Sequence, residues 1–160
     1  MFPTALVKEC HRLLSEGSLK LNMPVGIVSH IFNGTYQIVA INCGNLQMMD
    51  GSSFPLQETY CRDVYEEGHT LALTEIDGVK GMRRHPLYIK LPLEAYLSSP
   101  ITLRDHIWGT VNFTSPKTRE PFTDDEIGLV EGYAAQVSRA LSYLDRPVGY
   151  REESRSRKTV

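Results

Sequence analysis

The chain has few cysteines and no long apolar run. Its three cysteines, Cys10, Cys43 and Cys61, show no CxxC or other metal-type spacing, so neither a disulfide framework nor a zinc site is predicted. No segment is apolar over the length that spans a bilayer, and the N-terminus lacks a signal-peptide pattern. A net charge of -2 gives no general attraction to nucleic acid or to an anionic membrane. These absences favour a cytoplasmic protein that neither enters a membrane nor binds nucleic acid.

Motifs that carry catalysis are also absent. The sequence contains no GxSxG nucleophile turn, no glycine-rich phosphate loop, no HExxH zinc motif and no paired-cysteine redox motif. Because each of these motifs supplies the reacting group of a common enzyme class, their absence predicts a protein that is not an enzyme.

The composition is that of an ordinary globular domain. Hydrophobic residues make up 41% of the chain and charged residues 22%, over a length of 160 residues that suits one core. We expect a single domain over residues 1–145. Residues 146–160 are rich in arginine and almost free of apolar side chains, which predicts a basic, disordered tail.

The N-terminal third predicts a helix followed by a hairpin. Thr4–Leu21 is amphipathic, although Gly17 makes its last turn uncertain. Val25–Phe32 and Tyr36–Ile41 are strand candidates, and the Asn-Gly pair between them is a strong signal for a tight hairpin turn. These two strands should therefore pair as antiparallel neighbours.

The C-terminal third predicts a second hairpin and a capped helix. Ala95–Leu103 and Ile107–Phe113 are rich in aromatic and β-branched residues and are separated by a short polar turn. Thr123 and Glu126 have the spacing of a capping box, which satisfies two backbone amides at the start of a helix.

Apolar residues in this last helix recur at steps of three and four. They form one seam, made of Ile127, Val130, Ala134, Val137, Leu141 and Leu144. The seam has two interpretations: it joins the N-terminal helix in a four-helix bundle between two subunits, or it packs on the chain's own sheet.

The middle of the chain predicts shorter elements. Glu58–Gly68 and His85–Leu91 are short helix candidates, and Thr70–Thr74 is extended. Cys43–Phe54 is a polar connection whose length suggests a loop or lid over a site. The order of elements predicts an α+β fold in which an antiparallel sheet is flanked by helices.

This order and spacing resemble a GAF domain over roughly Leu6 to Leu144, including the capped helix, the hairpin before it and the short helix at Glu58–Gly68. The resemblance implies a GAF/PAS-like fold with a ligand cavity against its sheet. It further implies a sensory or regulatory domain in signal transduction that binds a small molecule. Because the sequence ends soon after its last helix, we expect it to act through a partner protein or as a homodimer.

Eight residues are the candidates for the cavity of such a domain. They are polar or aromatic side chains that the resemblance places on the short helices and the C-terminal hairpin: Tyr60, Cys61, His85, Tyr88, Glu94, Tyr96, Thr110 and Asn112. Each has a packing or solvent-facing alternative. Strand alternation places Thr110 and Asn112 on the same face, but it does not tell which face holds the cavity.

Known GAF ligands are constrained by what the corresponding positions lack. Residues 91–99 contain no cysteine to attach a bilin, so a covalent bilin is not expected. His85 has no second clustered ligand, so haem or a metal ion is not expected either. Phe113 stands where cyclic-nucleotide-binding members carry a lysine, which argues against that ligand class.

Two alternatives to a sensor remain open. Free methionine sulfoxide reductases are small GAF proteins that use cysteines around the cavity, and Cys43 and Cys61 would be the thiols here. In the other alternative the domain is a scaffold without a ligand, whose cavity is filled by Tyr60, Tyr88 and Tyr96.

Overall fold

The computed structural model describes residues 1–43, 50–76 and 93–145. Three helices and six strands occur in these ranges, in the order α1 (Thr4–Leu21), β1 (Val25–Phe32), β2 (Thr35–Cys43), β3 (Ser53–Pro55), α2 (Cys61–Glu67), β4 (Leu71–Leu73), β5 (Ala95–Leu103), β6 (His106–Ser115) and α3 (Asp124–Leu144). The predicted helix His85–Leu91 and the predicted tail 146–160 lie outside the described residues.

The six strands form one sheet in the order β3-β2-β1-β6-β5-β4. Every neighbouring pair is antiparallel. The two long hairpins, β1-β2 and β5-β6, meet at the centre of the sheet, where β1 pairs with β6. The predicted α+β architecture with an antiparallel central sheet is therefore confirmed.

α1 has the predicted bounds. Its Gly17 lies where the helix packs closely on side chains of the sheet and of α3. A Cβ atom on Gly17 would lie 2.3 Å from Cζ of Phe113 and 2.9 Å from Cε2 of Tyr133. The helix continues past this residue to Leu21 and ends at Asn22, whose φ of 52° is left-handed. Gly17 thus marks a contact between α1, the sheet and α3 rather than an early helix end.

The predicted hairpin turn at Asn33-Gly34 and the predicted capping box at Thr123 are both present. Asn33 and Gly34 have φ values of 47° and 70°, as a two-residue hairpin turn with the twist of its strands requires. Thr123 Oγ1 accepts a hydrogen bond from the Glu126 amide at 3.2 Å, and the Thr123 amide donates to Glu126 Oε2 at 2.9 Å. The capping box at the start of α3 is complete.

β2 and β6 are each longer than predicted, by one residue at the start and two at the end. Two other elements differ more from the sequence-based expectation. α2 begins at Cys61 rather than Glu58, because Leu56–Glu58 form a separate 3₁₀ turn and Thr59 is extended. The exposed strand β3 lies within a segment that was predicted to be only a loop. Three residues that include Pro55 carry too weak a pattern for a strand to be predicted.

The two faces of the sheet are covered by different helices. α1 and α3 pack side by side on one face around an apolar core that includes Leu13, Leu97, Phe113 and Val137. The other face is covered by α2 around a second core that includes Ile38, Tyr60 and Tyr96. We call these the α1/α3 face and the α2 face.

The apolar seam of α3 packs on the chain's own sheet. Val130, Ala134, Val137 and Leu141 are buried in the core of the α1/α3 face, and Ile127 is partly buried against it. Leu144, which was also assigned to a partner surface, is 47% exposed at the end of the helix. Of the two interpretations of the seam, packing on the sheet accounts for its buried residues, which are not free to contact a partner.

Candidate ligand-binding site

Polar side chains are concentrated on the α2 face at the centre of the sheet. β5 contributes Tyr96 and Ser98, and β6 contributes Asn112 and Thr114, all at most 4% exposed. The register places Tyr96 opposite Thr114 and Ser98 opposite Asn112. Because alternate residues of a strand share a face, the register brings these four side chains into one patch.

α2 places the thiol of Cys61 against this patch. The Tyr96 hydroxyl lies 3.1 Å from Cys61 Sγ in a hydrogen bond. The hydroxyl of Thr110 and the amide of Asn112 each donate to the same sulfur at 3.3 Å. One buried thiol therefore joins α2 to both strands of the β5-β6 hairpin.

The hydrogen bonds extend across the sheet to the other hairpin. Asn112 Nδ2 also donates to the Tyr36 hydroxyl of β2 at 3.3 Å. Thr110 Oγ1 and Ser29 Oγ of β1 share a hydrogen bond of 2.8 Å. Four neighbouring strands thus contribute to one buried network, which we call the Cys61 network: Ser29, Tyr36, Cys61, Tyr96, Thr110 and Asn112.

The titratable groups of the Cys61 network are held neutral. Burial raises the pKa of the Cys61 thiol, and hydrogen bonds from Thr110 and Tyr96 offset this only in part. Burial likewise raises the pKa of both Tyr36 and Tyr96 well above the ordinary value for a phenol. Since a reactive cysteine needs a lowered pKa and access, this thiol has the environment of an unreactive one.

The Thr114 hydroxyl, beside the network, has no hydrogen-bond partner within the described part of the chain, and this residue is 4% exposed. The Ser98 hydroxyl, on a residue that is 0% exposed, faces Cys61 and Tyr96 and acts to lower the pKa of both. Most buried polar groups in folded proteins have a partner, because an unpaired one costs about 1–3 kcal/mol. The buried, unpaired hydroxyl of Thr114 is therefore a feature that the contacts of the described residues do not explain.

Aromatic rings line the same face. The rings of Tyr60 and Tyr96 meet edge to face, with centroids 5.6 Å apart, and each residue is 1% exposed. Ile38, Ile76 and Leu93 belong to the same buried cluster. The network thus lies in an apolar surround, which is the usual composition of a small-molecule site.

The structure brings together five of the eight predicted site residues. Tyr60, Cys61, Tyr96, Thr110 and Asn112 all belong to this face. Their role in binding remains a prediction, because the contacts show placement and not a ligand.

The other three predicted residues are placed differently or not described. Glu94 is half-buried just before β5, where its backbone accepts from Ile76 and donates to Ser115. His85 and Tyr88 lie outside the described residues.

Sequence reasoning missed four polar residues of this face: Ser29, Tyr36, Ser98 and Thr114. Ser98 and Thr114 follow from Tyr96 and Asn112 by the alternation of strands, so that signal was present. Ser29 and Tyr36 lie on the other hairpin and become neighbours only through the pairing of β1 with β6.

Comparison with known protein families agrees with this geometry. The sequence profile of the GAF domain matches residues 6–141, which is most of the chain. The chain belongs to the GAF family. GAF domains generally function in sensing and signalling and are mostly not enzymes.

Solved structures with the same fold are distant in sequence. The blue-light-absorbing form of the PixJ GAF domain from Thermosynechococcus elongatus has a TM-score of 0.66 at 19% identity, over 88% of each chain. The second GAF domain of DevS from Mycobacterium smegmatis has a TM-score of 0.65 at 15% identity, over 87% of this chain and 94% of that one. These likenesses show the fold of the GAF domain and nothing finer.

A third similar structure comes from a different kind of protein. The GAF domain of an Acinetobacter phosphoenolpyruvate-protein phosphotransferase has a TM-score of 0.64 at 12% identity, over 89% of this chain and 96% of that one. Comparison with curated protein sequences finds no match. Within residues 1–43, 50–76 and 93–145, no helix has the length and apolar character needed to cross a membrane.

Proposed function

We propose that this GAF domain senses a small molecule that binds on the α2 face, beside the Cys61 network. The observation that carries the proposal is the buried, unpartnered hydroxyl of Thr114, which lies opposite Tyr96 in the sheet. A polar atom of a bound molecule would satisfy this hydroxyl, and the molecule would offset the cost of burying it. The apolar surround formed by Tyr60 and Tyr96 would supply the remaining contact area.

The polar groups of the Cys61 network are hydroxyls, phenols, one amide and one thiol. Such groups recognise hydroxyl, carbonyl and ring-nitrogen atoms by hydrogen bonds. A small molecule with several of these atoms, bound without a covalent link, is the occupant we propose. A covalently attached bilin is not, because residues 91–99 contain no cysteine.

The proposed output runs through β6 to the helices on the opposite face. Asn112 belongs to the Cys61 network, and the next residue, Phe113, packs on Gly17 of α1 and on Tyr133 of α3. The Tyr133 hydroxyl in turn donates to Glu16 of α1 at 2.5 Å. A shift of this one strand on ligand binding would therefore change the contact between α1 and α3.

A partner protein or a second copy of the chain would read that change from exposed surfaces near the helix ends. Leu19 of α1 is 85% exposed, and Tyr143 of α3 is 69% exposed. Sedimentation that shows only monomers at high concentration would argue against the homodimer and leave a separate signalling protein as the partner.

The test uses two threonines of β6 that share the α2 face. Native mass spectrometry should detect a small molecule released from the purified parent protein. Thr114→Val removes a hydroxyl with no partner among the described residues, so the fold should be kept and the occupancy lost. Equal occupancy in the parent and in Thr114→Val would contradict the proposal.

Thr110→Val is the comparison variant, because it removes a hydroxyl with two partners in the protein, Ser29 and Cys61. It should weaken the folded state whether or not a ligand is present.

A second candidate function is the scaffold without a ligand. The packing of Tyr60 against Tyr96 favours it, since two of the three tyrosines expected to fill the cavity are buried there. If no molecule is released from the parent, and thermal unfolding of Thr114→Val equals that of the parent in the presence of cell extract, the scaffold is the better description.

A further inference from the structure

A crevice at the end of the sheet, away from the Cys61 network, has its own chemistry. It has a volume of about 710 Å³ and lies between the tips of the two hairpins and the end of α2. Residues from β1, α2 and the β5-β6 hairpin with its turn line it, among them His30, Phe32, Tyr65, Glu66, Asp105 and Trp108. This volume is within the range of small-molecule sites.

One wall of the crevice is a row of stacked rings. His30 stacks on Trp108 with ring centroids 4.2 Å apart, and on its other side it stacks on Phe32 at 4.9 Å. The row ends at Phe32, which is 40% exposed. Phe32 thus offers an aromatic ring to anything that enters the crevice.

The charged side chains of the crevice are acidic. Glu66 and Asp105, which are both exposed, line the crevice. No lysine or arginine is among its described lining residues. Arg104, adjacent to Asp105, pairs instead with Asp145. The one side-chain hydrogen bond that Glu66 makes in the described chain is accepted from neutral Gln57.

His30 does not bring a positive charge to the wall at neutral pH. Its Nδ1–H donates to the Trp108 carbonyl oxygen at 2.7 Å, which fixes the neutral ring in its stacked position. Burial and the neighbouring His106 lower the pKa of His30, while the hydrogen bond to Trp108 acts in the opposite direction.

We propose that this crevice binds an organic cation of the quaternary ammonium type, held against the ring of Phe32 with Glu66 and Asp105 at the rim and Trp108 in the same wall. Such a cation is weakly hydrated and is attracted to the faces of aromatic rings, while nearby carboxylates neutralise its charge. A simple apolar hollow would hold a neutral molecule equally well, and an acidic rim alone would hold any small cation.

The probe is choline, and its matched control is 3,3-dimethyl-1-butanol, in which carbon replaces the charged nitrogen. Trp108 is the only tryptophan of the chain, so its fluorescence reports on this crevice directly. Calorimetry on the full chain measures the affinity of both compounds. Choline should bind saturably, change the Trp108 fluorescence, and bind more tightly than its neutral analogue.

Two exposed residues of the crevice can be changed with little effect on folding. Phe32→Leu keeps an apolar side chain but removes the ring, and Glu66→Gln removes one charge. Each should weaken choline binding by about 2- to 30-fold, the range that cation–π and exposed charge contacts span. Phe54→Leu, at a 36% exposed phenylalanine on β3 outside the crevice, should leave the affinity unchanged.

A capped trimethyllysine distinguishes the source of the cation. Tighter binding than choline assigns the crevice to a modified side chain of a partner, and weaker binding assigns it to a free metabolite. The proposal is overturned if 3,3-dimethyl-1-butanol binds as tightly as choline, if choline does not bind, or if Phe32→Leu binds it with the affinity of the parent.

Discussion

The two faces of the central sheet are built from alternate residues of the same strands, yet they differ in chemistry. On β6, Val111 and Phe113 face α1 and α3, whereas Thr110, Asn112 and Thr114 face α2. On β5, Leu97 belongs to the apolar core while its neighbours Tyr96 and Ser98 belong to the polar patch. Each strand thus carries an apolar side and a polar side, both buried.

This difference suggests separate roles for the two faces: the α1/α3 face stabilises the fold, and the α2 face is the candidate for binding. The α1/α3 face has the aliphatic and aromatic packing that stabilises most domains. The α2 face buries a hydrogen-bonded network and the unpaired hydroxyl of Thr114. Apolar side chains of similar volume at these positions would avoid the cost of burying polar groups. Polar groups kept at a cost in a sheet centre are a reason to assign the α2 face to binding.

The largest expected effect comes from the apolar face. Phe113→Ala removes a fully buried ring that packs on Gly17 and Tyr133, and it should cost about 3–5 kcal/mol of unfolding free energy. That is a large part of the stability of an ordinary domain. Urea denaturation measures it, with Tyr143→Ala as the exposed control at under about 0.5 kcal/mol. A loss below about 1 kcal/mol for Phe113→Ala would contradict the assignment of this face as the stabilising core.

A middle-sized effect separates two threonines on the polar face. Thr110→Val removes the hydrogen bond between Thr110 and the buried Ser29 hydroxyl and one of the three hydrogen bonds to the Cys61 sulfur, so it should cost about 1–3 kcal/mol. Thr114→Val removes an unpaired hydroxyl and should change the free energy of unfolding by less than about 0.5 kcal/mol, or raise it. Denaturation of both variants, freed of any bound molecule, tests the difference. Equal losses would show that Thr114 has a structural partner.

The sequence predicts local elements of this fold well, because their signals are local. The helix Thr4–Leu21 and the strand Val25–Phe32 have the predicted bounds, and the capping box of Thr123 is present. Periodicity, the Asn-Gly turn and cap spacing each depend on residues close together in the chain. The exposed strand β3 has none of these signals and was missed.

What the sequence leaves open depends on contacts distant in the chain. The seam of α3 has the same spacing whether a sheet or a partner covers it, so only the structure shows that Val130 and Val137 pack on the sheet. Likewise, alternation groups Thr110 with Asn112 but does not name their face. That choice follows from where α2 places Cys61, about 50 residues earlier in the chain.

The smallest expected effect concerns acid, and it falls on the side of the sheet that α1 covers. His30 lies between Phe32 and Trp108, and Trp108 packs against the apolar core there. Burial lowers the pKa of His30 below its usual value near 6.5. On the α2 face, the thiol of Cys61 and the phenols of Tyr36 and Tyr96 are neutral in acid even at their ordinary pKa values. Burial raises the pKa of each further, so these groups add no acid sensitivity.

The sign of this effect follows from proton uptake by the unfolded chain. Above about pH 7.5, one unit above the pKa of the unfolded chain, His30 is almost entirely neutral in both states and contributes no pH dependence. As the pH falls below that value, the unfolded state binds a proton that the folded state does not, so stability is lost until the folded pKa is reached. Glutamine has no group that binds this proton in the unfolded chain. The melting temperature of His30→Gln should therefore fall less than that of the parent as the pH falls over this interval. Parallel melting curves for the parent and His30→Gln below pH 6.5 would place the acid sensitivity elsewhere in the molecule, and the two curves should run parallel above pH 7.5 in either case.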